Sequence, residues 1–372
     1  MGLMNLADKL KTVRTGLKWT LELAGERSGI GPSTLSEFEN GKREPRLGQL
    51  KQLAQAYRRS IAFFLSDDAQ PLDCVLWRQR PEAPSAEELQ ATLLQFAENY
   101  QTLEALCNDH AALDLPRVSE SAERFNYAIA ARLAREVRSV LGLGDRPGQT
   151  LLRVVEEVCG IKVFHLDFEP TGSAACSLSE RFGAAVLLNS KSVRWRRNFD
   201  LAHELFHLLT WKVFRHDGGE QPESPDEREE KLATCFARNL LMPEEVFREA
   251  VDSQRRGLGK LGMDGLLEVA REFDVSVEAV LRQVGFVYNI PSEKMQSTVD
   301  AAKRQIGDRD VRERDTPPGR PLRYQSLARQ ALRRGLISVG RYAEYVSISR
   351  WDAMKLVEQD ASEDVQVEFA HS

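Results

Sequence analysis

Hydrophobic positions along the chain repeat mainly at helical spacing. Short amphipathic helices account for the first 66 residues. Longer helices are predicted at 85–106, 122–143, 149–159, 198–211, 225–241, 261–286 (a pair) and 324–357 (two or three). Short apolar runs among small residues predict strands at 161–164 and within 172–189. The pattern therefore predicts a mainly α fold with a small β-sheet, in the α+β class.

Composition divides this pattern into four parts. Residues 67–89 are polar and rich in proline, and 303–323 are densely charged, so both stretches are predicted to be linkers. With 372 residues, 42% of them hydrophobic, the chain is long enough for two or three separate cores. The predicted parts are an all-α domain at 1–66, a linker and helical junction at 67–120, a central domain at 121–290, and a linker with a helical region at 291–372.

The helix at 85–106 carries an apolar stripe at helical spacing. The stripe consists of Leu89, Leu93, Phe96, Tyr100 and Leu103. Stripes of this kind usually belong to a core or to the contact between two copies of a chain. A homodimer is therefore one expectation for this protein.

Charge is unevenly distributed along the chain. The net charge is −5, yet residues 1–66 hold eleven Lys and Arg against six Asp and Glu, which makes this end basic. The basic end is the expected nucleic-acid contact. Five scattered cysteines, without CxxC spacing, indicate neither a disulfide framework nor a thiolate metal site. Without a signal peptide or a long apolar run, we expect a cytoplasmic protein with no membrane partner.

The clearest chemical motif lies on the helix at 198–211. Its sequence NFDLAHELFHLLTW contains His203, Glu204 and His207 as HExxH. Residues four apart lie about 40° from each other around a helix, so both imidazoles can face one metal ion. Glu204 is offset by roughly 100°, close to the ion without ligating it. This is the geometry of a zinc hydrolase in which Glu204 takes the proton from a water molecule.

A site of this kind needs a third protein ligand. His216 is a poor candidate, because it lies nine residues after His207 in a Gly-rich acidic loop. Glu230 is better, since it lies on a helix whose start is predicted from a Ser224 cap, with Pro225 and Glu227 completing the signal. The mixed histidine and carboxylate set suits Zn²⁺, and Mn²⁺ can replace it.

At this point the sequence resembles a known family. The blocks RRNFDLAHELFHLL and EKLATCFARNLLMP are similar to the two motifs of the ImmA/IrrE metallopeptidases, and the resemblance extends over roughly residues 130–290. It implies a zincin-like central domain in which His203, His207 and Glu230 bind zinc and Glu204 is the general base. Phe206 and Thr234 depart from the family, which usually has Gly and Asn there. Thr234 is therefore expected to be a shorter partner for orienting a metal ligand.

The first 66 residues resemble the XRE-type helix-turn-helix domain. The resemblance rests on LELAGERSGIGPSTLSEFENGKREPRLGQLKQLAQAY, including the ENGK stretch and the turn at Pro45. It implies a recognition helix at 32–40 that enters the DNA major groove. Base edges are expected to face Pro32, Ser33 and Glu37, and phosphates to contact Thr20, Asn40, Lys42 and Arg43. A domain of this fold that serves protein contacts alone is the alternative.

Substrate binding is expected beside the HExxH helix. In zinc peptidases an exposed strand edge near this helix holds the substrate backbone, and residues 173–177 are the candidate segment here. Arg194, Arg196 and Arg197, just before the motif, are expected to form a solvated turn.

Together these features predict a DNA-binding transcriptional regulator that carries a zinc-dependent endopeptidase. The expected partners are operator DNA and a protein substrate, a repressor or an antitoxin. The alternative is an XRE-family transcription factor whose metal site is structural or vestigial and acts as a sensor. A purely structural site has no need of Glu204, which favours the enzyme.

Overall fold

A computed structural model describes residues 5–66, 73–82, 85–110, 115–116, 118–215, 224–255, 259–306, 310, 312 and 315–362. His216, the rejected ligand candidate, lies outside the described residues. Within them no helix is long and apolar enough to cross a membrane. The prediction of a mainly helical α+β fold is confirmed.

Five short helices form the N-terminal part. They are α1 (Leu6–Gly16), α2 (Leu21–Ser28), α3 (Pro32–Glu39), α4 (Leu47–Ala56) and α5 (Ile61–Leu65). Side chains of Asn5, Thr20 and Ser60 accept hydrogen bonds from backbone N–H groups in the first turns of α1, α2 and α5. The helices enclose a core of their own, with Leu35, Phe38 and Leu53 almost fully buried. This part is therefore a compact helical unit, as the resemblance implied.

Ten helices and a four-stranded sheet form the middle of the chain. The helices are α6 (Ser85–Cys107), α7 (Tyr127–Val140), α8 (Leu151–Glu157), α9 (Arg194–Leu209), α10 (Trp211–Phe214), α11 (Glu227–Leu241), α12 (Glu244–Arg255), α13 (Met263–Phe273), α14 (Val277–Val287) and α15 (Ser292–Ile306). The strands are β1 (Leu76–Trp77), β2 (Lys162–Leu166), β3 (Ala174–Ser179) and β4 (Gly183–Asn189). The C-terminal helices are α16 (Leu322–Arg333), α17 (Val339–Val346) and α18 (Arg350–Ser362).

The sheet order is β1-β3-β4-β2. β2 runs parallel to β4, whereas β3 is antiparallel to both β1 and β4. β1 comes from the proline-rich stretch predicted to be a linker, and it pairs Leu76 with Cys176 and Trp77 with Ala175. An edge strand this short carries no detectable alternation, which is why the sequence pattern missed it.

Both faces of the sheet are buried, each in a different core. Val186 and Leu188 of β4 face the core built with α7, α9, α11 and α13. Ala185 and Leu187 alternate with them and face a second core that contains side chains of α6 and α16 to α18. The sheet therefore joins the metal-motif helices to the C-terminal helices.

The apolar stripe of α6 packs inside the chain. Leu93, Tyr100 and Leu103 are buried in the second core, where Tyr100 contacts the rings of Phe164 and Tyr324. The stripe consequently offers no free seam for a second copy, and the homodimer stays a prediction.

The described part of 303–323 lies against the sheet and the motif helix. The N–H of His165 on β2 donates to the Gly319 carbonyl at 3.2 Å. Arg197 forms an ion pair with Asp315 at 2.5 Å, and the Arg312 guanidinium lies 3.7 Å from the ring centre of Trp195. These contacts differ from the predicted flexible linker, because the charged residues have partners on α9. The division into four domains stays a prediction.

Candidate metal centre

Helix α9 places the two motif histidines together. It begins at Arg194, four residues before the predicted start, and runs to Leu209. His203 and His207 are almost completely buried, and their ring centres lie 5.0 Å apart at an interplanar angle of 60°. The two rings therefore present nitrogens to one small region of the interior.

Helix α11 brings Glu230 to the same region. Glu230 Oε2 lies 3.2 Å from His203 Nε2, and Glu230 Oε1 lies 3.4 Å from His207 Nε2. One ligand atom from each residue can be chosen so that all three lie within 4.8 Å of one another. The helix starts after Asp226, whose carboxylate accepts the Glu229 N–H at 2.7 Å, so the predicted cap at Ser224 is wrong. Asp226 fixes the turn that holds Glu230.

The donor atoms of this cluster lack other partners. Both nitrogens of His203, the Nε2 atom of His207 and the Oε1 atom of Glu230 are buried without a hydrogen bond of normal geometry. Buried polar atoms are normally satisfied, so a group of orphans at one point indicates a missing partner. Two imidazole nitrogens and one carboxylate, with room for a fourth ligand, form the donor set of a catalytic zinc site. The residues fit a divalent cation.

Glu204 lies beside the cluster and is fully buried. Neither of its carboxylate oxygens accepts a hydrogen bond of normal geometry. Burial raises the pKa of Glu204 to about 7, although the His207 charge and the nearby Cys176 thiol oppose the rise. The carboxyl group thus has the proton affinity of a base that works near neutral pH.

A carboxylate that sequence reasoning missed supports His207. Glu229 Oε1 lies 2.8 Å from His207 Nδ1, and the same carboxylate binds Arg215 through two hydrogen bonds of 2.8 and 3.0 Å. Burial lowers the pKa of His207, but the hydrogen bond with Glu229 and the nearby Glu230 carboxylate outweigh it and raise the pKa to about 9. A carboxylate on the outer nitrogen fixes the ring orientation of a ligating histidine. The only sequence feature that points to Glu229 is its position next to Glu230.

A cavity of about 670 Å³ opens beside Glu230. Its walls include Trp195 and Phe199, which precede His203 on α9 at four-residue spacing. On α11 they include Thr234 and Arg238, one and two turns after Glu230. Thr234 therefore lies at the cavity, without a hydrogen bond to a ligand nitrogen or oxygen among the described residues.

Phe206, which replaces the family's usual glycine, points into the core. It is completely buried, and its ring centre lies within 5.7 Å of the rings of Phe125 and Phe236. The residue therefore finds its room among aromatic neighbours rather than in the ligand cluster.

The segment 173–177 does not form an exposed edge. β3 lies between β1 and β4, and the Ser177 hydroxyl donates to the Cys74 carbonyl at 2.7 Å. The prediction that this segment holds a substrate backbone is wrong, because residues from the presumed linker already pair with it.

The three arginines before the motif are likewise no solvated turn, since they are on α9. They pair with Asp274 (Arg194), Asp200 (Arg196) and Asp315 (Arg197).

The predicted DNA-contacting side chains are exposed on the N-terminal unit. Exposed positions include Thr20, Pro32, Ser33, Glu37, Asn40, Lys42 and Arg43. Pro32 begins α3, as expected for a recognition helix that starts at the DNA. Thr20 also caps α2, and the Asn40 side chain donates to the Ser36 carbonyl at 2.7 Å. Their contacts with DNA stay a prediction.

Comparisons with known families agree with this arrangement. A model of the peptidase M78 family, described as the IrrE N-terminal-like domain, matches residues 156–284. A second model, described as helix-turn-helix, matches residues 10–64. A comparison with curated proteins finds no match. The first range contains α9 and α11, and the second contains α2 to α4. The chain thus joins an XRE-type helix-turn-helix domain to a metallopeptidase-like domain of the IrrE N-terminal-like family.

Proposed function

We propose that this protein is a DNA-binding regulator with a zinc-dependent endopeptidase activity that cleaves a partner protein, a repressor or an antitoxin. The observation that carries the proposal is the convergence of His203, His207 and Glu230, with Glu204 beside them and unpartnered donor atoms at their centre. The two family matches support the pairing of a peptidase-like domain with a DNA-binding one.

The residues divide the chemistry among them. His203, His207 and Glu230 would hold the zinc ion, and Glu229 would keep His207 in the tautomer that directs Nε2 inward. A bound zinc ion supplies a Lewis acid that polarises water and a peptide carbonyl. Glu204 accepts the proton from the attacking water and returns it to the leaving amine. Burial of Glu204 excludes bulk water from this transfer.

The cavity beside Glu230 supports a polypeptide substrate. It combines the aromatic rings of Trp195, Phe199 and Phe286 with polar groups such as Thr234 and Arg238. Pockets of a few hundred Å³ with mainly apolar walls and a few polar groups typically take one side chain or a small ligand. We infer that a substrate side chain enters it while the scissile bond lies at Glu204.

The first test is the metal content of the wild type, His203→Ala and Glu204→Gln, by elemental analysis per mole of protein. We expect about one equivalent of zinc in the wild type and in Glu204→Gln, and almost none in His203→Ala. Glu204→Gln then serves as an inactive trap for the substrate, whose cleavage by the wild type is followed by mass spectrometry. If all three proteins remain free of metal after zinc is added, the peptidase proposal is refuted.

The alternative is a transcription factor with a structural or vestigial metal site. The departure that favours it is Thr234, which makes no hydrogen bond to a ligand. The two functions differ in what Glu204→Gln does to target-gene control. The peptidase proposal expects that control is lost while zinc stays bound, and the alternative expects no change.

A further inference from the structure

A second cavity, separate from the metal centre, lies where three parts of the chain meet. Its volume is about 830 Å³. One wall is the end of α4, the following turn and the start of α5 in the helix-turn-helix unit, a second wall is α6, and the third is formed by α17 and the start of α18. Cavities at the junction of domains are common places for small ligands.

The lining of this cavity is strongly basic. It includes Lys51, Arg58, Arg59, Arg341 and Arg350 and two carboxylates, Glu98 and Glu344. Both carboxylates already have partners: Glu344 pairs with Arg341 at 3.0 Å and with Lys51 at 3.7 Å, and Glu98 pairs with Arg181 at 2.9 Å. Within the described part of the chain, Arg58, Arg59 and Arg350 form no ion pair. With five cations against two carboxylates, the lining carries a net charge of +3.

Two of the guanidinium groups here are half-buried and incompletely bonded. Arg59 Nε has no hydrogen-bond partner, and neither does the Nε atom of Arg320, which contacts two lining residues: it lies 4.4 Å from the Phe96 ring centre and donates to the Ser347 hydroxyl at 2.7 Å. Burial lowers the pKa of both arginines, although the charges of Glu98 and Asp73 oppose this for Arg59. Arg58 adds a like charge to Arg320. A cluster of this kind attracts an anion.

The chemistry of the walls indicates which anion. Guanidinium groups bind phosphate in a bidentate manner, and Arg350 begins α18, so the positive end of that helix dipole is added. The aromatic rings offer little stacking surface, because Arg320 covers Phe96 and Arg341 lies 4.6 Å from the Tyr345 ring centre. Recognition therefore depends mainly on charge. We propose that this cavity binds a small phosphorylated molecule, held between Arg59 of the helix-turn-helix unit and Arg350 of the C-terminal helices.

Such a ligand would control the position of the DNA-binding unit. The contacts of this unit with the rest of the chain include solvent-accessible ion pairs, such as Arg27 with Glu88 at 3.3 Å and Lys51 with Glu344 at 3.7 Å. Exposed pairs of this kind contribute little, roughly 0–1 kcal/mol each. An anion that bridges both walls stabilises the docked arrangement by mass action. The site is thus an effector site for the regulator.

The test is calorimetric titration of the full-length protein with pyrophosphate, ATP and inorganic phosphate at constant ionic strength. We expect one site for pyrophosphate or ATP, with weaker binding of inorganic phosphate. Binding of pyrophosphate and ATP with equal affinity indicates that phosphate groups alone are recognised, whereas tighter ATP binding indicates a nucleotide. Either result supports the proposal.

Variants locate the site. Arg59→Gln and Arg350→Gln are each expected to weaken binding at least tenfold, and Arg350 is exposed, so its replacement leaves the core intact. The matched control is Arg153→Gln on α8, whose side chain pairs only with the neighbouring Glu157 and should bind as the wild type does. His203→Ala should also bind normally, which separates this cavity from the metal centre.

Three results would overturn the proposal. They are no heat of binding for any of the three probes, equal binding by the wild type and Arg350→Gln, and loss of binding in His203→Ala alone. A further result concerns DNA. If a short DNA duplex displaces ATP equally well from the wild type and from Arg153→Gln, the basic walls bind DNA instead, and the proposal is again overturned.

Discussion

His207, Glu229 and Arg215 form a continuous chain of charged hydrogen bonds beside the metal centre. All three side chains are almost fully buried, and each hydrogen bond between them involves a charged group at 2.8–3.0 Å. Such hydrogen bonds are strong in an interior without water, but removal of one charged group leaves its neighbour buried and uncompensated. Arg215 thereby acts on His207 through Glu229, although it lies outside the ligand set.

Replacing Glu229 by glutamine tests this chain. Glu229→Gln keeps the shape but removes the charge that orients and polarises His207, so we expect zinc affinity to fall about 10- to 100-fold. Affinity is measured by competition with a chromophoric chelator. The control is Glu227→Gln, an exposed residue on the same helix that should leave affinity unchanged. Equal affinities in both variants would show that Glu229 has no part in metal binding.

A half-buried carboxyl, Glu156 on α8, makes stability depend on pH. Burial raises its pKa from 4.5 to about 8, with Glu157 as a lesser cause. The folded protein therefore binds more protons than the unfolded chain between these values, and stability decreases as pH rises through this window. Glu156→Gln should remove this decrease and stabilise the protein at pH 8 by about 1 kcal/mol, a value reduced for partial exposure.

The measurement for Glu156→Gln is denaturant unfolding at pH 5 and pH 8. The wild type should lose more stability between the two pH values than the variant does. Glu136→Gln, an exposed glutamate on α7, is the matched control and should follow the wild type. A variant with the same pH dependence as the wild type would contradict the assignment.

Among the elements, α11 shows how the cap at the start of a helix positions the side chains of a candidate metal centre. The Asp226 side chain accepts a hydrogen bond from the N–H of Glu229, so one side chain holds the backbone from which both Glu230, a proposed ligand, and its neighbour Glu229 project. Loss of such a cap costs about 1 kcal/mol.

Asp226→Ala should therefore destabilise the protein by about 1 kcal/mol and weaken zinc binding as the first turn of α11 loosens. Ser224→Ala, at the position that the sequence pattern favoured, should do neither. Thermal unfolding with and without zinc measures both effects. The cap assignment fails if the two variants unfold alike.

The sequence predicted the elements that carry their own periodic signal. HExxH at helical spacing and the apolar pattern around Glu230 led to α9 and α11, and the four-residue spacing of His203 and His207 led to their convergence. β1 could not be predicted, because two residues in a proline-rich stretch pair only through tertiary contact. One feature of a predicted strand was not used: the unbroken apolar run from Ala184 to Leu188 indicates burial on both faces of the sheet.

For the site itself, Glu229 shows what could not be predicted from the sequence. Spacing identifies residues that face one point, whereas the partner of a ligand's outer nitrogen depends on how two helices pack. Thr234 had a motif to support it and Glu229 had none, yet it is Glu229 that contacts His207.

At the scale of the whole molecule, the described residues form three hydrophobic cores. The helix-turn-helix unit has its own core, the metal motif lies in the largest, and the C-terminal helices share the third with α6 and the far face of the sheet. The predicted recognition helix thus belongs to a core separate from that of the metal motif, although Ala91 of α6 packs into it.

DNA binding by this unit should depend on salt through its exposed cations. Lys42→Gln removes one phosphate contact, so the slope of log affinity against log salt should decrease by about 1. Fluorescence anisotropy with genomic DNA fragments at several salt concentrations measures the slope. Lys212→Gln, an exposed lysine on α10, is the control and should keep the wild-type slope. An unchanged slope in Lys42→Gln would remove Lys42 from the interface.

The pairing of β1 with β3 also determines where this protein can be divided during evolution or engineering. A fragment that starts at residue 121 would leave the backbone of Ala175 and Cys176 on an open sheet edge and would remove Trp77 from the core behind it. Open edges invite pairing with other chains and aggregation. The smallest piece that can be transplanted with the metal-motif helices therefore begins near Asp73, well before the family match at residue 156. A break within the intervening stretch would therefore separate β1 from the rest of the sheet.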